Sequence, residues 1–69
     1  IVSSNIKYLH NPNYKGTSIV DALNQIKVDS SFSNRSKLAQ NNGITNYKGT
    51  AEQNTKMLEM LKNGTLKSV

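Results

Sequence analysis

Asn13-Tyr14-Lys15-Gly16-Thr17 and Asn46-Tyr47-Lys48-Gly49-Thr50 are the same five residues, written twice in a chain of 69. The stretch after each copy has the periodicity of a helix. After the first, Ile19, Ala22, Leu23 and Ile26 fall at i, i+3, i+4 and i+7, which is one face of a helix. After the second, Asn54, Met57, Leu58 and Leu61 repeat that register once Glu52 and Gln53 are counted as an insertion. The repeated unit is therefore tyrosine, lysine, glycine, cap, helix. Glycine permits a tight approach, threonine caps the helix, and tyrosine packs beside it. The same unit also has a binding reading. A lysine next to free N–H groups at a helix start attracts anions, and a tyrosine ring can stack on a sugar.

The caps around these stretches delimit three helices. The first is capped by Thr17 or Ser18, with Asp21 in its first turn where the helix dipole favours a carboxylate. The second runs from about Ser31 to Asn41, between the caps of Asp29-Ser30-Ser31 and the left-handed stop of Asn42-Gly43. Phe32, Leu38 and Ala39 are its apolar residues, which assigns Phe32 to the core. The third runs from about Ala51 to Lys62, from the capping box Thr50-Ala51-Glu52-Gln53 to Asn63-Gly64. Residues 1–12 form a linker or a short strand, since Ile6, Tyr8 and His10 alternate with Lys7 and Leu9 before the turn Asn11-Pro12-Asn13. Residues 13–69 form the domain proper. The fold class is small and mainly α with about three short helices, or α+β if the N- and C-terminal segments pair in a minor sheet.

Composition narrows the function classes. The chain carries eight lysines, one arginine and four carboxylates, a formal net charge of +5, and so favours anionic partners. Asn, Gln, Ser and Thr supply 26 residues, whose amides and hydroxyls both donate and accept, as sugar recognition requires; AT-rich coding also enriches asparagine and lysine. Cysteine is absent, so neither a disulfide nor a thiolate metal site is available. A chain this small without staples leans on helix packing or on a homodimer. No apolar run approaches the roughly 20 residues of a membrane span, and no membrane insertion is expected. Three of the four carboxylates (Asp21, Asp29 and Glu52) sit at helix starts, where capping explains them. No acid/base pair of the kind glycoside hydrolysis needs is evident, and His10 stands alone. No metal or cofactor is expected, and catalysis by this stretch is not expected either. Arg35, one turn from Phe32, has three readings: stacking on that ring, bonding the Asp29-Ser30-Ser31 turn, or meeting an anionic ligand. Two helices joined by a turn on a basic chain also fit a DNA-binding or regulatory module, although only one arginine is present to read base edges.

Four stretches carry a family resemblance: Tyr14-Lys15-Gly16-Thr17-Ser18-Ile19-Val20-Asp21-Ala22-Leu23, Val28 through Ala39, Asn42-Gly43-Ile44, and Tyr47 through Asn54. Together they resemble the C-terminal cell-wall-binding domain of phage and prophage endolysins, in the family found after N-acetylmuramoyl-L-alanine amidase domains. The resemblance covers about residues 13–66. It implies a non-catalytic targeting module that holds a lysin on the Gram-positive wall, by glycan or wall-attached polymer, while an N-terminal catalytic domain cuts peptidoglycan. A start at Ile1 rather than methionine fits a C-terminal piece of such a protein. On this reading Tyr14 and Tyr47 make ring contacts. Lys15, Lys48 and Arg35 meet anionic groups, and Asn13 and Asn46 supply hydrogen bonds.

Overall fold

A computed structural model describes residues 7–69; Ile6 of the alternating stretch, and the linker reading of residues 1–6, lie outside them. In chain order the elements are strand β1 (Tyr8–Leu9), helices α1 (Ile19–Gln25), α2 (Phe32–Asn41) and α3 (Ala51–Asn63), and strand β2 (Leu66–Lys67). The two strands pair antiparallel, Tyr8 opposite Lys67 and Leu9 opposite Leu66. Three helices and the minor sheet of the terminal segments are therefore both present. Residues 8–11 are part of the folded unit.

Each helix opens on a hydroxyl cap. Ser18, not Thr17, caps α1 by accepting from the Asp21 N–H at 3.1 Å. Ser31 does the same for α2 from the Asn34 N–H at 3.2 Å. Upstream, the Asp29 carboxylate accepts from the Ser31 N–H at 2.9 Å. That bond, the Ser31 hydroxyl and the charge of Lys37 hold the exposed Asp29 carboxyl below its ordinary pKa. Thr50 and Gln53 form the anticipated capping box on α3.

The helices close in a common way too. Each ends on a left-handed residue, and the next N–H bonds back five residues, in a Schellman closure. These bonds run from Val28 to Leu23 O at 2.9 Å, from Ile44 to Ala39 O at 2.8 Å and from Thr65 to Met60 O at 2.9 Å. The left-handed residue is Gly43 for α2 and Gly64 for α3, as expected, but Lys27 for α1. A lysine gives no glycine signal, so this closure was not legible in the sequence.

The core joins Ile19, Ala22 and Leu23 of α1, Leu38 and Ala39 of α2, and Met57, Leu58 and Leu61 of α3, with Tyr14, Ile44 and Leu66. Two asparagine side chains complete it. Asn11, only 7% exposed, donates its N–H to Leu61 O at 3.0 Å and its amide to Ala22 O at 3.0 Å and to Gln25 Oε1 at 3.1 Å. It thus joins α1 to α3. Asn42 acts as a strand partner. Its Oδ1 accepts from the Lys67 N–H at 2.8 Å, and its Nδ2 donates to Lys67 O at 3.0 Å and to Leu38 O at 2.7 Å. That amide covers the free edge of β2 and ties it to the end of α2.

Replacing Asn11 by alanine leaves a buried helix carbonyl without its donor. The expected cost is about 1–3 kcal/mol, at about 4–8 °C of Tm per kcal/mol for a domain of this size. Asn41→Ala, which removes one exposed bond to Ser68 O, serves as the control. A thermal melt in which both variants fall equally little would contradict the role given to Asn11.

Candidate functional site

The two copies of the pentapeptide adopt different conformations. In the first, Tyr14 is 9% exposed and belongs to the core. Its N–H reaches Asn11 O, its hydroxyl oxygen accepts from the Ser18 N–H at 3.0 Å, and the Lys62 ammonium stands 5.9 Å from its ring centre. The solvent-facing ring contact expected of Tyr14 is therefore not available; the ring braces the start of α1. Asn13 and Lys15 beside it are exposed.

In the second copy the backbone is left-handed at Asn46 (φ 54°) and at Gly49 (φ 76°), and at neither matching position of the first. Tyr47 is half-buried and packs outward on Phe32, ring centres 5.4 Å apart and tilted by 36°. Phe32 is 51% exposed rather than in the core. It is the first residue of α2, and its neighbours one turn on are Arg35 and Ser36, so its face of the helix is polar. Arg35 satisfies two of its three readings at once. Its guanidinium lies 5.7 Å from the Phe32 ring centre, and Nε donates to Ser30 O at 3.1 Å. Nη1 also donates to the Tyr47 hydroxyl at 3.0 Å, and that hydroxyl donates in turn to Asn54 Oδ1. Asn54 Nδ2 closes the chain on Gly49 O at 3.3 Å.

Beside this aromatic pair lies a cleft of about 420 Å³ between α2 and the loop that enters α3, lined by Ser36, Gln40, Ile44, Thr45, Asn46 and Tyr47. That volume falls in the range of ligand pockets, roughly 300–1,000 Å³. Ile44 is the buried apolar part of the lining. The loop is held by Gln53, whose side chain accepts from the Lys48 N–H at 2.8 Å and donates to Asn46 O at 3.2 Å. Among the described residues, the side chains of Ser36, Gln40, Thr45 and Asn46 make no hydrogen bond. Their donors and acceptors are open to a ligand.

Of the seven residues singled out from the sequence, Asn46 and Tyr47 line the cleft and Arg35 braces Tyr47 beside it. Tyr14, Asn13 and Lys15 belong to the first copy, which contributes nothing to the lining. Lys48 is exposed and outside it. Sequence reasoning missed Phe32 as a surface ring, and Ser36, Gln40, Ile44 and Thr45 as lining. One signal was present: Phe32, Ser36 and Gln40 recur every four residues, a single stripe along α2.

Over 49 residues, 71% of this chain, the sequence is 55% identical to the endolysin of Listeria phage A511. Over 52 residues, 75% of this chain, it is 54% identical to the L-alanyl-D-glutamate peptidase of Listeria phage A118. The chain is related to phage endolysins. The matches cover 14% and 18% of those two proteins, so the chain spans under one-fifth of the curated relatives it matches. No known family profile and no solved structure matches it. No described helix is long and apolar enough to cross a membrane. Among the described residues no three His, Cys, Asp or Glu side chains gather where they could hold a metal ion.

The glycines of the two copies serve different needs, and this is testable. A Cβ at Gly16 would stand 2.8 Å from Tyr14 Cζ and meet its hydroxyl. At Gly49 the main difficulty is the positive φ, which costs an L-residue roughly 1–2 kcal/mol; a Cβ there would also lie 3.3 Å from Phe32 Cε1, the end of a side chain that can give way. Both Gly→Ala variants lose stability. Tyr14→Phe partly relieves Gly16→Ala, whereas Phe32→Ala does not relieve Gly49→Ala. Additive behaviour in the Gly16/Tyr14 cycle of denaturant unfolding would refute the steric account.

Proposed function

We propose that this chain is a wall-binding module of a phage-type lysin and that the cleft beside Phe32 and Tyr47 is its ligand site. The observation that carries this reading is the convergence of four unengaged hydrogen-bonding side chains on a cleft edged by Tyr47, whose half-buried ring packs on the exposed Phe32. Sugar recognition calls for that combination: polar groups for the hydroxyls and a flat ring for the sugar's apolar face. The comparisons support it from a second direction. A segment of about fifty residues recurs in two lysins and makes up under one-fifth of each. A targeting role for the shared segment accounts for its small share.

The cutting would then be done by another domain of the parent protein. The amidase type suggested by the resemblance is one such partner; a peptidase, as named in the A118 relative, is another. The place of action is the host wall. The net charge of +5 adds a general attraction to anionic walls, which raises encounter without choosing a site. DNA binding gains nothing from the fold, since the guanidinium of Arg35 is engaged by Ser30 and Tyr47.

Purified Listeria cell-wall sacculi provide the assay. The 69-residue chain is expected to co-sediment with them. Phe32→Ala is expected to weaken binding about tenfold, equivalent to about 1.4 kcal/mol, with little change in Tm because the ring is half-exposed. Lys15→Ala is expected to bind as wild type at moderate salt. Failure of the wild-type chain to bind any Gram-positive sacculus removes the function. Equal binding by Phe32→Ala removes the site.

A further inference from the structure

We infer that the cleft takes a neutral, N-acetylated hexose unit rather than a phosphate or another anion. This inference rests on the wall-binding reading and names the ligand class of the same site. Its basis is the chemistry of the lining. Ser36 and Thr45 are hydroxyls, Gln40 and Asn46 are amides, Ile44 is apolar, and Tyr47 is the aromatic edge. No charged side chain is among them. An anion site in a chain with nine cations would be expected to recruit at least one. Instead Lys37 and Lys48, next in sequence to lining residues, are exposed and outside the cleft. The nearby Arg35 has its guanidinium bonded to Ser30 O and the Tyr47 hydroxyl.

An acetamido sugar matches this set group by group. Its amide N–H and C=O need an acceptor and a donor, and a carboxamide such as Gln40 or Asn46 provides both. Its methyl group needs an apolar surface, which Ile44 provides. Its hydroxyls find Ser36 and Thr45, and its ring face finds Tyr47, which Phe32 backs. The amide of Asn46 is presented from a left-handed residue whose carbonyl is pinned by Gln53, so the loop is ordered before the ligand arrives.

The test is competition for wall binding by soluble probes. The chain bound to Listeria sacculi is challenged with the N-acetylglucosamine trimer, with the same trimer lacking its acetyl groups, and with poly(glycerol phosphate). Displacement by the acetylated trimer alone is the expected result. Gln40→Ala and Asn46→Gly, the second keeping the left-handed backbone at residue 46, should each weaken binding of the free trimer, read by direct titration, about tenfold. Raising salt from about 0.1 to about 1 M shortens the Debye length from about 10 to about 3 Å, and trimer competition should shift by less than about threefold. Displacement by poly(glycerol phosphate) and not by the acetylated trimer overturns the inference, and so does equal competition by the deacetylated trimer. Either result leaves wall binding standing, whereas absence of binding to untreated sacculi sinks the wall reading itself. Sacculi stripped of attached polymers by acid separate the two sources of such a sugar. Retained binding places it in the glycan strands; lost binding, with trimer competition intact on untreated walls, places it on an attached polymer. Both satisfy the inference.

Discussion

Asn11 is the buried amide on which the two halves of the fold depend. Its backbone N–H holds α3 through Leu61, its side chain holds α1 through Ala22 and Gln25, and its carbonyl takes the N–H of Tyr14. A domain of this size is stable by only on the order of 3–10 kcal/mol. An unmade bond at a nearly dry site would consume a large fraction of that. The same residue helps place the first pentapeptide. Its carbonyl meets the Tyr14 N–H at 3.4 Å, while the Ser18 N–H bonds the Tyr14 hydroxyl and the ring lies in the core.

The second pentapeptide has no such anchor. Its tyrosine is claimed from the other side, by Phe32 packing on its ring and by Arg35 and Asn54 bonding its hydroxyl. These partners hold it at the surface, half-exposed, at the rim of a cleft. The left-handed turns at Asn46 and Gly49 make this possible. The same five residues thus carry two jobs, one structural and one suited to recognition. Their surroundings, not their identities, make the difference.

This explains which parts were legible in the sequence. Caps, helix bounds and the glycine stops rest on local chemistry within a few residues, and they were readable: Ser31, the Thr50–Gln53 box, Gly43 and Gly64 all act where expected. The pairing of the terminal segments was readable as an alternative. The long-range partners were not. Nothing local marks Asn11 as buried, Asn42 as a surrogate strand for Lys67, or Lys27 as a left-handed closure. Tyr14 follows the packing reading of the repeat and not the binding one, and Phe32 lies outside the core assigned to it, for the same reason. Residue type alone leaves both readings open for the tyrosine and sends the phenylalanine to the core. Their actual exposure depends on tertiary neighbours, Asn11 and Lys62 for the one and Tyr47 for the other. The cleft was half-legible, through Tyr47, Asn46 and the four-residue stripe of α2.

The proposed division of the repeat, with one copy meeting the ligand and the other not, is open to amide NMR of the isotope-labelled chain titrated with enzymatically solubilised Listeria wall fragments. Shifts are expected to concentrate on Ser36, Gln40 and Thr45–Tyr47, with the side-chain amides of Gln40 and Asn46 among the largest. Asn13–Thr17 should stay nearly still. Shifts of equal size on both copies, or centred on Lys15 and its neighbours, would contradict it.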